Sequence, residues 1–63
     1  MSKYSGMTVN ERLSEAGIMD AWEAAAHSGN RDQMIELLRR VEISDDAQKI
    51  VATILADPKR YGF

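Results

Sequence analysis

The chain has 63 residues, a net charge of −2 and no cysteine. At that length it is one domain at most, and neither a disulfide nor a thiolate zinc site can brace it. The acidic balance weighs against electrostatic binding to nucleic acid or anionic lipid, and no apolar run approaches the roughly 20 residues that span a bilayer.

Hydrophobic residues make up 44% and charged residues 29%, a composition that favours a folded chain over a disordered one. Residues 1–7 carry no periodic pattern and no apolar stretch of signal-peptide type, so they read as a flexible leader. The single helical domain then runs over 8–63, and a cytoplasmic location is the expectation.

Thr8-Val9-Asn10-Glu11 has the form of a capping box, in which the threonine hydroxyl and the glutamate carboxylate each take one free backbone N–H. A short helix follows, with Val9, Leu13 and Ala16 on one face. Gly17 is placed to end it in the left-handed conformation, with Ile18 packing back. The next segment aligns Ile18, Trp22, Ala25 and Ala26 at helical spacing and stops at Gly29. Asn30 caps a third helix whose stripe is Met34, Leu37, Leu38 and Val41. Ser44 or Asp45 is the expected cap of a fourth, with Ala47, Ile50, Val51 and Ile54 inward. Asp57-Pro58 closes it, because the residue before proline is pushed out of helical geometry. No strand-like alternation with hairpin glycines occurs. The fold class is therefore all-α: a small bundle of three to four short helices, including an αα-hairpin around Gly29-Asn30, with the first two helices either separate or one helix bent at Gly17.

The stretch AAAHSGNRDQMIELLRR resembles the helix–turn–helix half of an ankyrin repeat. The TPLH turn of such repeats is missing and no second copy follows, so the likeness is read as convergence on αα-hairpin physics. The whole chain is similar to a group of short helical bacterial proteins with an NERL-type start, here Asn10 to Leu13, and an ILADP-x-RYGF-type end, here Ile54 to Phe63. That resemblance implies a bacterial cytoplasmic origin and a chain end native to the group. It brings no activity with it.

Few residues point to chemistry. Asp20, Glu23 and His27 share one helix face, but no second carboxylate–histidine helix accompanies them, so a solvated polar face is expected and neither a metal nor another cofactor. The serines fall in the leader, at caps or on a polar face, and the glycines are scattered instead of forming a phosphate loop. A chain this short is also expected to lack a concave pocket of substrate size. The expectation is a non-enzymatic protein.

Two classes of function remain. The first is a helical interaction module or adaptor, binding another protein or itself as a homodimer. Its candidate surface is the apolar residues that flank the stripes and the tail: Met19, Ile35, Ile43, Leu55, Tyr61 and Phe63. The second is a small nucleic-acid-associated regulator using Arg39, Arg40, Lys59 and Arg60 as a basic patch, which the net charge disfavours. The tail ADPKRYGF holds two of the four aromatic residues. It serves either as a structural clasp, with Tyr4 or Trp22 as neighbours, or as a recognition element.

Overall fold

A computed structural model describes residues 3–63 and is all-helical over that range. The elements are α1 (Val9–Glu15), α2 (Met19–His27), α3 (Arg31–Arg40) and α4 (Ala47–Ala56), followed by a 3₁₀ turn over Pro58–Tyr61. They form a small helical bundle, with α1 and α2 as separate helices.

Local chemistry sets most of the boundaries. At the start of α1 the Thr8 Oγ1 accepts the Glu11 N–H at 3.2 Å, and the Thr8 N–H donates to Glu11 Oε1 at 3.0 Å. These two bonds hold the Glu11 carboxyl below the ordinary carboxylate range, the backbone donor having the larger effect. A depressed folded value means the carboxylate stabilises the fold above the unfolded value, and the contribution is lost as pH falls through the folded one. Thr8→Ala is expected to cost about 1 kcal/mol. Glu11→Gln is expected to flatten the acid limb of a thermal-melting profile between pH 5 and 3; an acid limb identical to wild type would remove the carboxylate from this role.

One stop device recurs at four places. Ile18 N–H reaches Leu13 O at 3.0 Å, Asn30 N–H reaches Ala25 O at 2.9 Å, Ile43 N–H reaches Leu38 O at 2.9 Å and Phe63 N–H reaches Pro58 O at 2.9 Å. In each, the preceding residue is left-handed, and at three of them it is the glycine that such geometry favours. The exception is Glu42, at φ +64°, where a side chain costs roughly 1–2 kcal/mol. Glu42→Gly relieves that strain against a smaller unfolded-state entropy loss. A net gain of about 0.5–1 kcal/mol is expected in urea titration, and a lowered midpoint would show that the Glu42 side chain contributes more than its backbone costs.

Helix α4 starts differently from the expectation. Its N-cap is Asp46, not Ser44 or Asp45, and the Asp46 side chain makes no capping bond. At φ −96° and ψ 0° its backbone is already near-helical, whereas a capping side chain needs the extended region to swing back onto the first turn.

The core is built from Leu13 of α1, Trp22, Ala25 and Ala26 of α2, Met34, Leu37 and Leu38 of α3 with Val41 after it, and Ala47, Val51 and Ile54 of α4. All four stripe residues of α3 are buried. Ile50 of α4 is only half-buried, as are Val9, Ala16 and Ile18. No buried side-chain polar atom among the described residues lacks a partner.

The N-terminal segment contributes to this core. Tyr4, within the expected leader, is buried in the cluster at 6% exposure, and Met7 packs beside it; residues 1 and 2 lie outside the described residues. Arg12 links the segment to the bundle. Its Nη1 donates to Val41 O at 3.0 Å, its Nε donates to Met7 O at 3.3 Å, and its guanidinium lies 6.0 Å from the centre of the Tyr4 ring. Nothing in the apolar periodicity marks this arrangement, because it depends on a polar side chain reaching 29 residues along the chain.

Candidate functional site

The two ends of the bundle follow from its turns. The αα-hairpin at Gly29-Asn30 reverses α3 against α2, and the loop after Val41 reverses α4 against α3. Beyond α4 the chain returns to the end of α2, where the Phe63 and His27 rings meet edge-on at 5.5 Å. Helices α2 and α4 therefore run in the same direction on either side of α3.

Both pack on α3, and the space between them is left open. It forms a groove of about 1010 Å³ whose floor and walls include Trp22 and Met19 from α2 with Ile50 and Ile54 from α4. Thr8, Val9, Asn10 and Asp46 close one end, and Tyr61, Gly62 and Phe63 close the other. Glu23 on the α2 wall faces the groove from one side, and Lys49 and Thr53 on the α4 wall face it from the other. The expectation that so short a chain lacks a sizeable concavity is thus overturned. The reason is geometric: α2 and α4 each pack on α3 and make few contacts with each other, and α1 closes only one end of the space between them.

The structure divides the six-residue apolar surface expected from the sequence. Met19, Tyr61 and Phe63 line the groove, whereas Ile35, Ile43 and Leu55 do not. Ile50 and Leu55 lie about 140° apart around α4. Ile50 joins the groove, and Leu55 is half-buried on the other flank. Trp22, Ile50, Ile54 and Val9 belong to the groove without having been marked as partner residues. The signal that could have found Ile50 is its place at the edge of a stripe already complete with Ala47, Val51 and Ile54.

The tail splits between the two roles expected of it. Phe63 is half-buried against the cluster, held by Gly62 at φ +89° and by the bond to Pro58 O. Tyr61 stands 44% exposed beside the groove. His27 is the clasp's ring partner and Trp22 shares the groove with it, while Tyr4 sits by Arg12 at the opposite end of the bundle. Phe63→Ala is expected to cost about 1–2 kcal/mol through lost burial and the lost edge contact, read as a lower urea midpoint with native helicity retained. An unmoved midpoint would leave the tail without a structural role.

The four basic side chains do not form one patch. Arg39 and Arg40 end α3, at the Val41 end, whereas Lys59 and Arg60 belong to the 3₁₀ turn at the other. The length of α4, about 15 Å for ten residues, separates the pairs. Asp20, Glu23 and His27 do not draw together either: among the described residues no three acidic or histidine side chains are grouped as metal ligands. Within the groove, the Thr53 hydroxyl is used internally, donating to Lys49 O at 2.8 Å.

No helix among the described residues is long and apolar enough to cross a membrane. Comparisons of the chain with protein-family models, with curated proteins and with solved structures find no match.

Proposed function

We propose that the protein is a small non-enzymatic interaction module, an adaptor whose α2–α4 groove receives an apolar segment of another protein. The observation that carries this reading is the groove itself, with Met19 and Ile50 half-exposed on its walls above the buried Trp22 and Ile54. Contiguous apolar surface rimmed by polar residues is what partner sites present. The bacterial, cytoplasmic setting belongs to the same proposal and rests on the NERL and ILADP-x-RYGF resemblance together with the absence of cysteine. The division of Arg39 and Arg40 from Lys59 and Arg60 gives the nucleic-acid reading nothing to stand on beyond the charges themselves.

Charging the groove tests the proposal. Ile50→Glu places a carboxylate on the α4 wall, and Ile35→Glu places one on α3, outside the groove; both sites are half-buried, so both variants are expected to keep their helicity. A protein captured from native extract by wild type and Ile35→Glu, but lost with Ile50→Glu, is the expected result. Equal capture by all three chains would sink the reading.

A further inference from the structure

Resting on the docking reading above, we infer that the occupant of the groove is a single amphipathic helix of about three turns from another protein, basic on the flank facing Glu23 and acidic on the flank facing Lys49. Its length follows from the walls. Helices α2 and α4 have nine and ten residues, or about 14–15 Å, which three helical turns match. Its shape follows from the vacancy. A helix laid between α2 and α4 packs its stripe on the half-exposed Met19 and Ile50 and on the edges of Trp22 and Ile54 beneath them, the helix-in-groove mode of recognition.

A second copy of this chain fits less well. Tyr61 is the one large apolar side chain that stands exposed among the described residues, so the surface offers a concavity without a complementary ridge. A twofold contact places the same patch on both subunits, and here that sets groove against groove. The chain's own tail is already committed: Phe63 is seated at the groove's end on His27.

The flanks follow from charge. Glu23 and Lys49 are exposed on opposite walls, and neither is engaged in an ion pair among the described residues. Apart from them the polar lining is neutral at Thr8, Asn10 and Thr53 and acidic at Asp46. Asp46, at the α1 end, selects against an acidic residue at that end. Charges placed in this way govern which partner and which orientation is accepted more than they govern affinity.

The test uses the full chain and two synthetic twelve-residue helical peptides with the same apolar stripe and a fluorescent label, whose anisotropy reports binding. One peptide has lysine on one flank and glutamate on the other, and the second has glutamate on both, since a simple exchange of flanks is undone by reversing the helix in the groove. Wild type is expected to prefer the mixed-flank peptide several-fold, and Glu23→Lys, which makes both walls basic, is expected to prefer the glutamate-flanked one by a similar factor. Circular dichroism confirms that the variant is folded, as substitution at one exposed position should leave it. The same preference in both proteins would overturn the charge-specified occupant while leaving the groove as a docking site. Failure of both peptides to bind, with capture from extract still sensitive to Ile50→Glu, would overturn the helical occupant alone. Concentration-dependent dimerisation of wild type, abolished by Ile50→Glu, would replace it with a second copy.

Discussion

Trp22→Ala is expected to unfold the protein at room temperature or leave it with a sharply lowered urea midpoint. Trp22 is 2% exposed and is the largest side chain in the core, where α1, α2, α3 and α4 all contribute neighbours. Truncating a buried tryptophan to alanine costs about 3–5 kcal/mol, the lost transfer energy adding to the cavity left behind. A domain of 63 residues holds roughly 3–9 kcal/mol in total, so the loss takes between a third of the stability and all of it. Far-UV circular dichroism across a urea titration reads the result without needing the fluorophore. Trp22→Phe, which keeps most of the apolar volume, is expected to remain folded with a lowered midpoint. A midpoint for Trp22→Ala within error of wild type would show that α2 does not depend on this residue for its place.

Arg12→Met is expected to cost about 2 kcal/mol. The substitution keeps an unbranched apolar stem of similar reach and removes the guanidinium. The Val41 and Met7 carbonyl oxygens then lose their partly buried donor. Hydrogen bonds from a charged donor contribute about 1.5–3 kcal/mol, and an acceptor left unpaired in a partly buried position adds to the loss. Arg12→Lys should recover little, because one ammonium cannot reproduce the fork that spans two carbonyls. Arg39→Met, at an exposed position on α3, is the matched control and should stay within about 0.5 kcal/mol of wild type. If the Arg12 and Arg39 variants unfold at the same urea concentration, the link from Met7 through Arg12 to Val41 carries no stability.

The two substitutions sit on opposite sides of what can be read from order alone. Trp22 falls on a helical stripe with Ala25 and Ala26, and the period places it inside without any knowledge of the fold. Arg12 falls on the polar side of α1, where the same logic marks it as solvated. Its role exists because the loop after α3 brings Val41 O next to α1, a contact between segments 29 residues apart. Tyr4 is of the same kind: no periodicity precedes α1, and only the path of the folded chain carries that ring over Arg12 and into the core.

The groove shows the same division. Sequence order identifies Met19, Ile35, Ile43 and Leu55 as apolar residues at the margins of stripes and places Ile50 within one, and all five are half-buried. Which margins meet each other, and which are covered by a neighbouring helix, is set by how α2 and α4 straddle α3. The basic residues behave likewise: Arg39 and Arg40 look near Lys59 and Arg60 on a one-dimensional count of charge, yet the reversal of α4 against α3 sends the pairs to opposite ends.

What the order of residues determined by itself is the local structure. The Thr8–Glu11 capping box, the stops at Gly17 and Gly29, the Asn30 cap and the four buried residues of the α3 stripe all depend on groups within a few positions of each other, where covalent geometry limits the alternatives. What only the tertiary structure decided is everything that depends on closing long loops: the burial of Tyr4, the anchoring of Arg12, the seating of Phe63 on His27, and the open corner between α2 and α4. Those contacts join residues whose separation in the chain leaves many arrangements of similar local energy, and packing of the whole core selects among them.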